Sequence, residues 1–264
     1  MKIGLSSASF YPNTNTEDSF EVMKSLGFSD GEIFLNSFCE YEKEFVDILL
    51  EKKVEYKFNI MSVHAFGSVF EPYLFDDYQR RRTDFRKVFK AVCKAGKALG
   101  AKYYTFHGIR LANLKEINRK FILDIYNELT YEASEIGITL SQENVSWCMS
   151  AMPEYLNILK EGCRYPLSFT LDIKQAYKAG MDPLSYIDIM GNSLGNIHIN
   201  DKDGKNICLL PGKGNVDYHR LLKKLSGNSY NGDMIIEVYN SNYSSINELT
   251  EAKQYIKCIS DLYF

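Results

Sequence analysis

The chain has 264 residues, 45% hydrophobic and 25% charged, with a formal net charge of −3: this fits one large domain over 1–264 and argues against a basic nucleic-acid binder. Its tightest basic run, Arg80-Arg81-Arg82, is followed by Asp84 and reads as a solvated helix start. No stretch is long and apolar enough to span a bilayer, and the N-terminal MKIGLSSASF is too short for a signal h-region.

The cysteines Cys39, Cys93, Cys148, Cys163, Cys208 and Cys258 include no CxxC pair. That spacing is neither a disulfide framework nor a zinc knuckle, and reduced thiols indicate a cytoplasmic protein.

Short β-branched or aromatic runs alternate with longer helical patterns. The expected strands are Lys2–Ser7, Gly31–Leu35, Tyr56–His64, Lys102–His107, Thr139–Glu143, Ser168–Asp172, Gly195–Ile199 and Asp233–Val238. The expected helices are Glu17–Leu26, Tyr41–Lys53, Arg80–Leu99, Leu114–Ile136, Met152–Glu161, Pro183–Met190, Tyr218–Leu225 and Ile246–Leu262. Several end in glycine, as at Ile136-Gly137. Asn113, with Glu116 three residues on, is expected to cap the fourth helix. Eight β-α units predict an α/β fold, a closed (β/α)8 TIM barrel in a single domain. The alternative, a doubly wound open sheet, calls for a glycine-rich first turn, and Ser-Ser-Ala-Ser-Phe-Tyr-Pro has none. The segment Ala65–Gln79 carries Phe66, Phe70, Tyr73 and Phe75; it reads equally as a lid over the barrel mouth or as an aromatic-packed surface loop.

The strand ends carry the chemistry. Strands three to eight deliver His64, His107, Glu143, Asp172, His198 and Glu237. Asp172 alone could be a helix cap. Six such residues at matching positions on a barrel converge on one ring. Burying three carboxylates together costs on the order of several kcal/mol per ion without a cation, and a divalent metal removes that cost.

SVHA at Ser62–Ala65, TFHG at Thr105–Gly108, QEN at Gln142–Asn144, LDIKQAYKAG at Leu171–Gly180, HINDKDG at His198–Gly204, LLPGKGNVDY at Leu209–Tyr218 and IIEVY at Ile235–Tyr239 occur in this order. With these motifs the chain resembles the xylose-isomerase-like barrel superfamily of sugar-phosphate isomerases and epimerases. That superfamily also includes the apurinic endonucleases of the endonuclease-IV type. The resemblance implies one divalent metal held by Glu143, Asp172, His198 and Glu237. Three carboxylates and an imidazole suit Mn²⁺ best, with Mg²⁺, Co²⁺ or Zn²⁺ as alternatives. The resemblance further implies Glu143 and Glu237 as the proton-transferring pair. His64 and His107 are expected to bind substrate or to support the ligands, with core histidines as the alternative. Lys174 and Lys202 flank ligand positions and could meet a phosphate or hydroxyl. Glu32 resembles an acid found on the second strand of such barrels and is as readily structural. Where many relatives place a histidine, three residues after the sixth-strand aspartate, this chain has Gln175, which can bind a sugar hydroxyl but cannot carry a proton.

The implied activity is isomerisation or epimerisation of a keto-sugar, sugar phosphate or cyclic polyol ketone by proton transfer through a metal-stabilised enediolate. The partner is a small sugar or polyol, with no nucleic acid and no membrane. The rivals are a dehydratase of a cyclic polyol ketone, an apurinic endonuclease and a non-catalytic sugar-binding barrel. The endonucleases hold part of a metal cluster with an Asp-x-His pair before the glycine-rich turn. Here Asn206 and Cys208 stand at those positions.

Overall fold

β-prone runs of four to seven residues form eight strands in the computed structural model, which describes residues 1–264. They are β1 (Ile3–Ser6), β2 (Asp30–Leu35), β3 (Asn59–Ala65), β4 (Tyr103–Phe106), β5 (Thr139–Glu143), β6 (Leu167–Asp172), β7 (Leu194–Ile199) and β8 (Asp233–Ile236). Each pairs in parallel with the next, and β1 pairs with β8, so the sheet closes on itself. The chain is a (β/α)8 barrel in a single domain. Parallel strands covered by helices are buried on both faces, which is why β7, Leu-Gly-Asn-Ile-His-Ile, is buried at every position.

The helices are α1 (Ser19–Ser25), α2 (Lys43–Glu55), α3 (Gln79–Ala98), α4 (Arg119–Ile136), α5 (Pro153–Gly162), α6 (Ile173–Lys178), α7 (Pro183–Met190), α8 (Tyr218–Gly227) and α9 (Glu248–Ser260). They face the barrel through apolar stripes at helical spacing. In α4 the stripe is Ile122, Ile125, Tyr126, Leu129 and Ala133. Gly137 ends α4 at φ 92°, the left-handed conformation expected of it.

Three boundaries differ from expectation for local reasons. Asn113 does not cap the fourth helix. It closes a turn, accepting from Lys115 N at 3.1 Å and donating to Glu116 Oε1 at 2.6 Å. The cap is Asn118, whose Oδ1 accepts from Phe121 N at 3.1 Å. β3 starts at Asn59 rather than Tyr56 because α2 runs to Glu55 and Lys57 turns the chain at φ 50°. The short α6, directly after Asp172, was hidden inside the strand-to-helix connection.

The segment after β3 packs part of its aromatic set inward, as a surface loop does. Phe70, Leu74 and Phe75 are buried, whereas Phe66 and Tyr73 are exposed. Glu71 pins it from beneath: Tyr104 Oη donates to Oε1 at 2.6 Å, and the backbone amides of His107 and Gly108 donate to Oε2 at 2.7 and 3.1 Å.

Candidate active site

The C-terminal ends of β3 to β8 deliver their polar side chains into one buried cluster, because parallel strands in a closed barrel all end on the same rim, and the middle of β2 adds Glu32 from below. His198 stands at its centre, fully buried on β7. Its Nδ1 lies 3.4 Å from Glu143 Oε1 and 3.4 Å from Glu237 Oε2, and its Nε2 lies 3.3 Å from Glu32 Oε2. Glu32 is itself fixed, with Ser62 Oγ donating to Oε2 at 2.7 Å and Thr105 Oγ1 at 2.8 Å. An ionised carboxylate only accepts, so Glu32 orients the imidazole with Nε2–H toward itself and Nδ1 toward Glu143 and Glu237.

Each glutamate faces two ways. Glu143 sets Oε1 against His198 and Oε2 against His107 Nε2 at 3.1 Å. Glu237 sets Oε2 against His198 and Oε1 against His64 Nδ1 at 3.7 Å. His64 and His107 meet through their Nε2 atoms at 2.8 Å, so one of these nitrogens carries a proton and the other accepts it. Asp172 caps α6, accepting from Gln175 N at 3.0 Å through Oδ1, and presents Oδ2 to the cluster. It therefore takes both positions open to it, cap and cluster member.

Burial pushes the carboxyls up, but the histidines hold Glu32 and Glu143 well below the usual range. Glu237 is also buried, and Lys174 and His198 together hold it low. Burial lifts Asp172 to about 6; the Lys174 ammonium opposes this, and the Glu143 and Glu237 carboxylates reinforce it. Burial alone would lower His64, yet Glu237 and Glu32 raise it to about 10. The four clustered carboxylates of Glu32, Glu143, Asp172 and Glu237 demand positive charge at this spot.

One donor atom from each of Glu143, Asp172, His198 and Glu237 lies within 4.8 Å of the others. Glu143 Oε2, Asp172 Oδ2 and His198 Nδ1 are buried and form no hydrogen bond, although charged or titratable partners stand 3.1 to 3.4 Å away. Buried polar atoms left unpaired are costly, and a divalent cation satisfies atoms of this kind together. The donor set fits such an ion.

Above the cluster opens a cavity of about 350 Å³, lined by His64, His107, Glu143, Lys174, Gln175 and Glu237, with Tyr11, Phe34, Phe66, Trp147 and Tyr239 among its apolar walls. Gln175 Oε1 accepts from Ser146 N at 3.1 Å and from Ser146 Oγ at 2.7 Å. Lys202 is turned away: its ammonium sits over the Tyr177 ring, 4.5 Å from the centroid, and lines no part of the cavity. Its backbone is held by Asp201, which also accepts from Gly212 N and Val216 N and so organises the glycine-rich turn. Cys208 belongs to no cluster of metal-competent groups, and Asn206 lies in an exposed turn where its amide donates to Asp203.

Sequence reading left Trp147, Tyr239 and Asn200 out of the site and Glu32 undecided. A charge inside the otherwise strand-like Gly-Glu-Ile-Phe-Leu was the available signal for Glu32. Nothing local marks the aromatic walls, whose placement follows from barrel closure.

The model of the xylose isomerase-like TIM barrel family matches residues 20–262, and this chain belongs to that family. Among relatives, an uncharacterized protein of Methanocaldococcus jannaschii is 26% identical, covering 97% of this chain and 88% of its own. A 3-dehydro-D-guloside 4-epimerase of Escherichia coli is 22% identical over 90% of this chain and 92% of its own. Among solved structures, a D-tagatose 3-epimerase-like protein superposes with a TM-score of 0.81 at 22% identity, covering 99% of each chain. The IolI protein with a bound zinc atom superposes with a TM-score of 0.78 at 18% identity, covering 100% of this chain and 99% of that one. These likenesses speak to the fold.

Proposed function

We propose that this chain is a divalent-metal-dependent epimerase or isomerase of an unphosphorylated keto-sugar or cyclic polyol ketone. The observation that carries the proposal is the pair of two-faced glutamates. Glu143 and Glu237 each turn one oxygen to the His198 cluster and the other to a histidine beside the cavity. The names of the E. coli epimerase relative and of the tagatose-epimerase-like structure point the same way.

Glu143, Asp172, His198 and Glu237 would hold the metal, with Mn²⁺ best suited to three carboxylates and one imidazole. When bound, that ion would supply Lewis acidity toward a substrate carbonyl oxygen. The chain's own residues move the proton. Glu143 and Glu237, both held ionised, are the bases. The proton taken from carbon by one glutamate protonates that carboxyl, and the same carboxyl, or its partner after transfer through His107 and His64, returns it to carbon. The His64–His107 contact links the two glutamates across the cavity floor. Gln175 positions a hydroxyl. Among the lining residues Lys174 is the one lysine or arginine, fewer cations than a dianionic phosphate usually draws, which disfavours a phosphorylated substrate. Six unpaired thiols suit the cytoplasm.

Deuterium uptake from D₂O, measured by mass spectrometry over a panel of ketoses, 3-keto-glycosides and inososes with Mn²⁺ present, detects proton abstraction without presuming the product. Uptake from at least one of them is expected, and Glu143→Gln and Glu237→Gln should each lose about a hundredfold or more of turnover. No exchange with any member, or normal turnover in both variants, would overturn the proposal. Loss of a hydroxide rather than inversion would assign a dehydratase.

A second reading, cleavage of abasic DNA, draws on the group His64, His107 and Glu143, whose donor atoms also lie within 4.8 Å of one another. Gln175, Asn206 and Cys208 stand against it, as does a net charge of −3. One metal per chain and no incision of an abasic duplex are expected. Two or three tightly bound ions with incision lost in Glu143→Ala would favour this reading.

A further inference from the structure

Lys174 is the second residue of α6 and is 3% exposed, an unusual depth for a lysine. Its ammonium lies 3.3 Å from Asp172 Oδ2 and 3.2 Å from Glu237 Oε2. These are the oxygens the two carboxylates turn to the cluster. Asp172 Oδ1 is already committed to the Gln175 amide and to Asn200 Nδ2 at 3.3 Å. Glu237 Oε1 faces His64. The side chain also borders the cavity, with the Tyr239 ring centred 4.8 Å from Nζ.

An ammonium and a divalent cation bridging the same two oxygens repel one another strongly in a dry site. Asp172 is held against rotation by the two hydrogen bonds to Oδ1, so its Oδ2 cannot turn away to leave one of the two cations alone. Lysine, unlike the backbone that carries Asp172, has a flexible four-carbon stem.

We propose that Lys174 is an internal competitor for the metal seat, and that loading of a divalent ion drives its ammonium from between Asp172 and Glu237 further out into the cavity. This rests on the metal reading of the cluster. The ammonium weakens metal binding in proportion to its own hold on the two carboxylates. In return, the displaced ammonium becomes the cationic group that faces substrate. A ligand that engages it with an oxygen anion holds it out of the seat and so tightens the metal, as linkage requires.

The test compares Lys174→Met with the wild-type protein, each stripped with EDTA, by calorimetric titration with Mn²⁺. Lys174→Met should bind Mn²⁺ more tightly by a factor on the order of ten or more, since 1.4 kcal/mol is already tenfold. Equal or weaker binding by the variant would overturn the competitor role and make Lys174 a supporting partner of the ligands. Binding by neither protein would overturn the metal reading as well, which distinguishes the two failures. Because Lys174→Met strands two carboxylates and could unfold, the wild-type protein supplies a second measurement. Reductive methylation followed by peptide mass spectrometry should leave Lys174 protected in EDTA and modified once Mn²⁺ is added. Equal protection in both conditions would show that the ammonium does not move.

Discussion

Glu32 illustrates how one buried charge can govern a neighbour it does not replace. It accepts from Ser62 and Thr105 and fixes the far edge of His198. Glu32→Gln keeps the size and an acceptor but lowers the basicity of His198 Nδ1, so Mn²⁺ affinity should fall about tenfold to a hundredfold. Titration calorimetry measures the affinity, and an unchanged circular dichroism spectrum would separate this from misfolding. Unaltered affinity would make Glu32 a purely structural acid. His198→Ala should abolish metal uptake while the barrel stays folded, and full occupancy by metal analysis would refute the ligand assignment. Most of these residues were legible in the sequence because a histidine or carboxylate at the end of an apolar strand is hard to explain as core. Lys174 was visible only as a lysine beside a ligand. Its burial depends on the short α6 that follows Asp172 directly, which no local pattern announces.

At the level of elements, Glu71 ties the segment after β3 to the end of β4, next to His107. Burial raises its carboxyl above the ordinary value of 4.5, although His107, Tyr104 and two backbone amides oppose the rise. A carboxyl raised on folding contributes stability that is fully present below 4.5 and is lost as pH rises through its higher folded value. Urea denaturation at stepped pH should therefore show a decline in wild-type stability above pH 4.5 that is smaller in Glu71→Gln. The same slope in both proteins would mean that Glu71 titrates normally. The fourth helix gives a second comparison. Asn118→Ala should cost about 1 kcal/mol, whereas Asn113→Ala, in an exposed turn, should change stability by less than about 0.5 kcal/mol. Both asparagines precede the same apolar stripe, so sequence alone could not choose between them. The choice was made by where the turn from Leu114 to Ile117 lets the backbone enter the helix. Strand existence was legible throughout, since β-prone runs recur between helical patterns. The start of β3 was not, because an aromatic at Tyr56 serves equally as a helix end.

For the whole molecule, the barrel is the instrument that gathers the site. Glu143, Asp172, His198 and Glu237 come from β5, β6, β7 and the residue after β8. A ligand that binds only the folded state at a hundred times its Kd adds about 2.7 kcal/mol of stability. In a chain of this size that corresponds to roughly 5–10 °C in Tm. Scanning calorimetry with and without Mn²⁺ should show such a gain, and His198→Ala should lose it. The pairing of β1 with β8 carries a further consequence. Glu237 follows the strand that closes the ring, so a chain still emerging from synthesis, or one that has opened at that seam, presents only part of the donor set. On the proposed metal reading, capture would work as an inspection of completed folding: finished barrels would hold the ion, partly built ones would bind it weakly, and detachment of the last strand would release it.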